Sequence, residues 1–149
     1  MDFLSLKRRL EQHSNKDLGL GATIEQLQAA ELELRVVLRG SYRAFLEAFG
    51  WGGVDDIEIF GLGSDVPLHL DLIAITMSER NDAQPPLPLH LIPVANDGAG
   101  NLFCLDASEA FREEYPMVFW DHEAGPDQEP EPVARDFAAW LSELVASRE

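Results

Sequence analysis

Cysteine is nearly absent. Cys104 stands alone among 149 residues, so no internal disulfide can form and a reducing compartment is the expected setting. Basic side chains are scarce as well: eleven Lys and Arg face 27 Asp and Glu, a formal charge of −16. Nucleic-acid binders gain affinity by neutralising phosphates with cations, so the composition argues against nucleic acid as a partner. An anionic membrane surface would repel the chain for the same reason. Long apolar runs are missing. The one long uncharged stretch, 83–96, carries four prolines and two amides, which bars a spanning helix. The first ten residues, MDFLSLKRRL, hold their charges inside the segment and contain no apolar stretch of seven, so no export signal is expected. A soluble, cytoplasmic protein is the expectation. Recurrent catalytic patterns are lacking too: there is no Gly-x-Ser-x-Gly, His-Glu-x-x-His or P-loop.

What is present is enough for a core. Apolar residues make up 46% of the chain, with eight Phe and three Trp, which excludes disorder over most of its length. A single domain spanning 1–149 is expected, since a chain of this size buries roughly 70% of its unfolded surface. The charge is lopsided. Residues 1–50 hold seven basic and seven acidic side chains, whereas 51–149 hold four Arg and 20 acids. The densest part, Asp106 to Glu131, has nine acids against Arg112 alone. Such a run serves either as a solubilising surface or as an electrostatic platform for a basic partner.

The pattern along the chain places helices first. Asp2 can cap a helix with Phe3, Leu6 and Leu10 on one face. Thr23-Ile24-Glu25-Gln26 is a capping box, and Ile24, Leu27 and Leu34 form the apolar face of the helix it starts. A third helix begins near Gly40-Ser41, with Tyr42, Phe45, Leu46 and Phe49 on its stripe and Gly50 and Gly52-Gly53 at its end. Ile57 to Phe60 alternates weakly, as a strand does. Leu68 to Arg80 suits a strand or a helix, and 81–88 reads as a proline-rich loop. Leu91–Ala95, Leu102–Leu105 and Met117–Trp120 read as strands, the first two joined as a hairpin through 96–101. Gly125 to Pro132 reads as a mobile polar linker. A last helix is expected from Pro132 or Val133, with Val133, Phe137, Trp140, Leu141 and Leu144 on one face. The fold class is α+β: N-terminal helices and a C-terminal helix packed on a central antiparallel sheet.

Chemistry-bearing groups are few. Asp121-His122-Glu123 could put only Asp121 and Glu123 on one side of a strand, and no second cysteine or His-x-x-x-His pair completes a metal set. Asp97, Asp106 and Asp121 lack the ligand spacing of a calcium loop. Asp97 and Asp106 instead suit structural turns. Cys104 with His122 as its base is the one conceivable nucleophile, but Phe103-Cys104-Leu105 is an apolar run where cysteine behaves as a small hydrophobe. No metal, cofactor or catalytic residue is expected. Trp51, beside glycines at a helix end, either plugs the core or projects as an interface anchor.

Four segments, in order, resemble the SUKH superfamily, which includes bacterial toxin-immunity proteins and the fungal cell-wall assembly regulator. They are Glu31 to Gly53 (with Leu34, Leu38, Tyr42, Phe45 and Leu46), Asn96 to Asp106, Tyr115 to Glu123, and Asp136 to Leu141. The chain departs from the family's usual Leu-Gly and Leu-Pro with Leu34-Arg35 and Leu38-Arg39. The resemblance implies a non-enzymatic, cytoplasmic immunity protein that neutralises a cognate toxin, often a nuclease or deaminase. A regulatory or scaffold protein of the same fold is the alternative. A toxin acting on nucleic acid needs a basic cleft, which an acidic protein can occupy. The expected partner-binding residues are the acids Glu113, Glu114, Asp121, Glu123, Asp127, Glu129 and Glu131, with Trp51 as a possible anchor.

Overall fold

The structure, a computed structural model, describes residues 2–109 and 112–148. Helix α1 (Phe3–Gln12) is capped by the Asp2 carboxylate, which accepts from the Ser5 N–H at 2.8 Å. Strand β1 (Lys16–Leu18) follows, then α2 (Ile24–Leu34). The Thr23 capping box is complete: the Gln26 N–H donates to Thr23 Oγ1, and the Thr23 N–H donates to Gln26 Oε1. Leu27, Ala30 and Leu34 are the buried positions of α2, while Ile24 is 61% exposed, contrary to the periodicity. The helix begins at Ile24, so its first turn extends past the core edge.

Arg35 ends α2 in the left-handed conformation (φ 58°), where glycine is the usual residue. This accounts for what the Leu34-Arg35 departure means structurally: the turn is kept, at a conformational cost of about 1 kcal/mol. Helix α3 (Gly40–Ala48) buries Tyr42, Phe45 and Leu46, as its stripe predicts. Gly52-Gly53 do not simply stop it. They enter β2 (Gly52–Val54), which turns through Asp55-Asp56 into β3 (Ile57–Ile59). The 68–80 ambiguity resolves to a short 3-10 turn, Leu68–Leu70, and α4 (Leu72–Asn81), capped by Asp71.

Strands β4 (Leu91–Asn96), β5 (Leu102–Asp106), β6 (Met117–Trp120) and β7 (Glu131–Ala134) form an antiparallel meander, separate from the three-stranded β1-β2-β3 sheet. The strands are thus divided between two sheets, linked where the Phe60 N–H donates to the Val94 carbonyl at 2.8 Å. Strand β4 is an edge of the meander, so Pro93 is tolerated beside a register shift.

The linker and last-helix boundaries are corrected. Residues 131–134 pair with β6, and α5 (Phe137–Ala146) starts only after Asp136, whose carboxylate accepts from the Ala139 N–H at 2.8 Å. Val133 therefore lies on a strand, not on the helix face. Gln128 immobilises the preceding turn, accepting from the Asp121 N–H and donating to the Asp121 and Gly125 carbonyls. One core joins the layers. Phe137 packs edge-on against Tyr42 and Phe45 (centroids 5.1 and 5.4 Å), and Trp140 lies against Phe103 (5.4 Å). Trp120 and Trp140 are both buried in it, as are Tyr42 and Phe137. No helix among the described residues is long and apolar enough to cross a membrane.

Candidate protein-binding surface

The sequence-predicted acids do not share one environment. Glu113 is exposed. Glu114 is half-buried and faces inward: its carboxylate accepts from the Ser41 N–H (3.0 and 3.1 Å) and from the Ser41 hydroxyl (3.1 Å). It caps α3 from 73 residues away, in place of Arg39, which makes no side-chain cap. Burial raises the Glu114 pKa and outweighs the Ser41 bonds, which pull it down. Asp121 is half-buried and accepts from the Glu123 N–H at 2.9 Å, closing a turn. Glu123, Asp127, Glu129 and Glu131 are exposed along the β6–β7 connection and the start of β7. Residues 110 and 111 of the acidic run lie outside the described residues.

Trp51 is a core residue, only 8% exposed. Its indole Nε1 is buried without a hydrogen-bond partner against Gly19, where a Cβ would come within 2.3 Å of that nitrogen. A side chain at 19 would expel the ring. Burial of the indole body outweighs one unpaired N–H, which is why the ring sits inside rather than projecting as an anchor.

A second group of acids escaped the sequence reading. The β2–β3 turn brings Asp55, Asp56 and Glu58 beside Asp17 of β1, around a cleft of about 270 Å³. Three of them are paired. Asp55 meets His13 (3.3 Å), Asp56 meets Arg148 (2.6 Å) and Glu58 meets His69 (3.0 Å). The Arg148 bond holds the Asp56 carboxyl below its ordinary pKa. The signal was there in Val54-Asp55-Asp56-Ile57, a two-residue turn between apolar positions, with Asp55 taking the positive φ (52°) such turns require.

Groups weighed as chemistry are otherwise engaged. Cys104 is fully buried, and burial, with the nearby Glu79 charge adding to it, pushes its thiol pKa far up, away from the thiolate a nucleophile needs. His122 bonds through Nδ1 to Asn101 Oδ1 (2.7 Å), bracing the hairpin. Asp97 accepts from the Ala99 and Asn101 N–H groups and from the Asn101 amide. Asp106 accepts from the Ser108 N–H at 3.0 Å as the chain leaves β5. Among the described residues no three His, Cys, Asp or Glu side chains are grouped to hold a metal ion.

The order of helices, meander and closing helix agrees with a family match across nearly the whole chain. The model named SUKH_5 and described as SMI1-KNR4 cell-wall matches residues 5–146. The chain belongs to the SUKH superfamily. No curated protein matches it closely enough to count as a relative. In this SUKH protein β5, β6 and α5, which carry much of the resemblance, contribute to the core, while Glu113, Glu123, Asp127 and Glu129 stand exposed on the connections around it and Glu131 on β7. Large apolar side chains also stand exposed among the described residues, Leu20, Leu32 and Leu68 most of all.

Proposed function

We propose that this SUKH protein is a non-catalytic immunity protein: it binds a cognate basic toxin, one that acts on nucleic acid, and neutralises it through its acidic surface. The observation that carries the reading is the charge distribution. All of the net −16 falls within residues 51–149, and the acids Glu113, Glu123, Asp127, Glu129 and Glu131 stand exposed. A cleft that binds nucleic acid must be cationic, so an anionic protein competes for it and is steered to it. The buried, proton-holding state of Cys104 and the structural engagement of His122 and Asp97 fit a role that needs no reacting group.

Purification of the protein from its native cell at low salt should bring down a basic protein in stoichiometric amount, and expression of the chain should protect cells from that protein. Replacing Glu123, Asp127, Glu129 and Glu131 by their amides should slow association and flatten its dependence on salt while leaving the fold intact. Failure to protect cells from any basic partner so captured would end the immunity reading.

A further inference from the structure

Exposed acids steer a basic partner into place, but a lasting polar contact needs a charge met where water is excluded. One carboxylate is placed for that. Glu79 of α4 is half-buried, and among the described residues its carboxylate takes part in no hydrogen bond or ion pair. Burial raises its pKa, and the charge of His122, without pairing to it, works the other way. Charges withdrawn from water are normally matched by a cation or by hydrogen bonds, and an unmatched one in a recess is a candidate functional group.

Glu79 lines a hollow of about 350 Å³ between α4 and the β4–β5 hairpin. Ile75, one helical turn before it, shares the α4 wall. The hairpin contributes Gly98 and Gly100, which carry no side chain to fill the space, and the buried Phe60 and Leu102 add apolar surface. A recess with apolar sides and a single carboxylate suits a side chain that has a methylene stem and a cationic head.

The hairpin is set before anything binds. Asn96 Oδ1 accepts from the Gly98 N–H at 2.9 Å, and Asp97 accepts from the Ala99 and Asn101 N–H groups. His122 bonds through Nδ1 to Asn101 Oδ1, and its ring covers Gly100, where a Cβ would come within 2.9 Å of it. A wall braced this way needs little ordering when the hollow is filled.

The charges on the lining itself select the occupant. Asn96 and Gly98 also border a neighbouring hollow of about 440 Å³, which carries Asp56, Glu58 and Asp97. The cations at the two hollows are engaged: Arg148 meets Asp56 (2.6 Å) and His69 meets Glu58 (3.0 Å). Asp97 is held by amide donors of the turn, so no cation of the lining is left for Glu79. Through His122 the same wall continues to the exposed Glu123 of the proposed acidic surface. A guanidinium suits the place better than an ammonium, being less strongly hydrated and able to meet a carboxylate with two parallel bonds.

We infer that this hollow is a socket for an arginine side chain of the basic partner, with Glu79 as its counter-ion. The inference rests on the proposed recognition of a basic protein and adds the point at which one of its charges is held.

The probe is the capped tripeptide Ala-Arg-Ala, compared with its citrulline version, which keeps the shape of arginine without the charge, and with its lysine version. Amide chemical-shift titrations of the whole chain should give saturable shifts at residues 75–79 and 96–102 with the arginine peptide. The citrulline peptide should bind about tenfold more weakly, as should the arginine peptide to Glu79→Gln, with lysine between. Glu123→Gln, on the exposed rim, should leave the affinity nearly unchanged. The Glu79 carboxyl carbon should titrate at lower pH when the arginine peptide is bound, because a cation favours the charged form. It is followed beside His69, His122 and the buried Cys104, the titratable groups around it. Glu79→Gln removes a charge that has no internal partner, so its melting temperature at neutral pH should be no lower than the parent's.

Equal binding of the arginine and citrulline peptides, shifts that avoid 96–102, or unchanged affinity of Glu79→Gln would overturn the inference. So would a lowered melting temperature of Glu79→Gln, since the carboxylate would then serve the fold. A lysine peptide that binds as tightly as the arginine one would overturn the choice of a guanidinium. The immunity reading is judged separately. A Glu79→Gln chain that protects cells as well as the parent removes the socket and leaves immunity standing. A chain that holds the arginine peptide at Glu79 but never protects removes immunity and leaves the arginine site.

Discussion

Replacing Glu114 tests whether a charge in the acidic run serves the fold rather than a partner. Its carboxylate satisfies the Ser41 N–H at the start of α3, and the Ser41 oxygen in turn accepts from the Ala138 N–H of α5 at 3.0 Å. One carboxylate therefore sets the N-termini of two core helices. Glu114→Ala removes the cap and leaves the Ser41 N–H without its acceptor. Loss of a cap costs about 1 kcal/mol, and loss of a hydrogen bond to a charged group about 1.5–3 kcal/mol. These overlap, so about 2 kcal/mol is expected, a sizeable part of the 5–15 kcal/mol typical of a domain. For a chain of this size that corresponds to a melting temperature lower by roughly 4–8 °C.

Glu114→Gln should behave differently, because its amide oxygen can still accept from Ser41 and no charge is buried. It should stay within about 1 kcal/mol of the parent at neutral pH. The pH dependence follows from the raised pKa. The folded chain holds this proton more tightly than the unfolded one, so the associated stability is fully present below the unfolded pKa. It is lost as pH rises through the folded pKa. Urea unfolding across that window should show a falling stability in the parent that is flattened in Glu114→Gln. A Glu114→Ala protein as stable as the parent, or a Gln variant as damaged as the Ala variant, would refute this reasoning.

Further outcomes are expected. Phe137→Ala or Trp140→Ala should each cost about 3–5 kcal/mol, read from denaturant midpoints, because both rings lie in the core shared by α3, α5 and the meander. Cys104 should be inert to a thiol reagent in the native protein and react fully in denaturant, since burial keeps it protonated. Arg35→Gly should stabilise the fold by about 0.5–1 kcal/mol in urea titrations, as glycine adopts φ 58° without a Cβ penalty.

Local signals in the sequence determined several features outright. The Thr23 and Asp2 caps, the Tyr42–Phe49 stripe, the 96–101 hairpin and the Met117–Trp120 strand all rest on near neighbours, so propensity and periodicity suffice to read them. The lopsided charge, too, is a property of the chain alone. Elements whose partners are distant in sequence were not legible. Strand β1 is three residues long and exists through pairing with β2, and β7 exists through pairing with β6; a proline-bearing segment such as 131–134 announces no strand of its own. The same holds for the surface. Whether an acid caps a helix, as Glu114 does, or stands in water, as Glu113 does, depends on what lies across the fold. The position of Trp51 depended on the space left by Gly19. A one-dimensional pattern specifies which face of an element is apolar, but only packing in three dimensions decides which faces find a partner and which stay open.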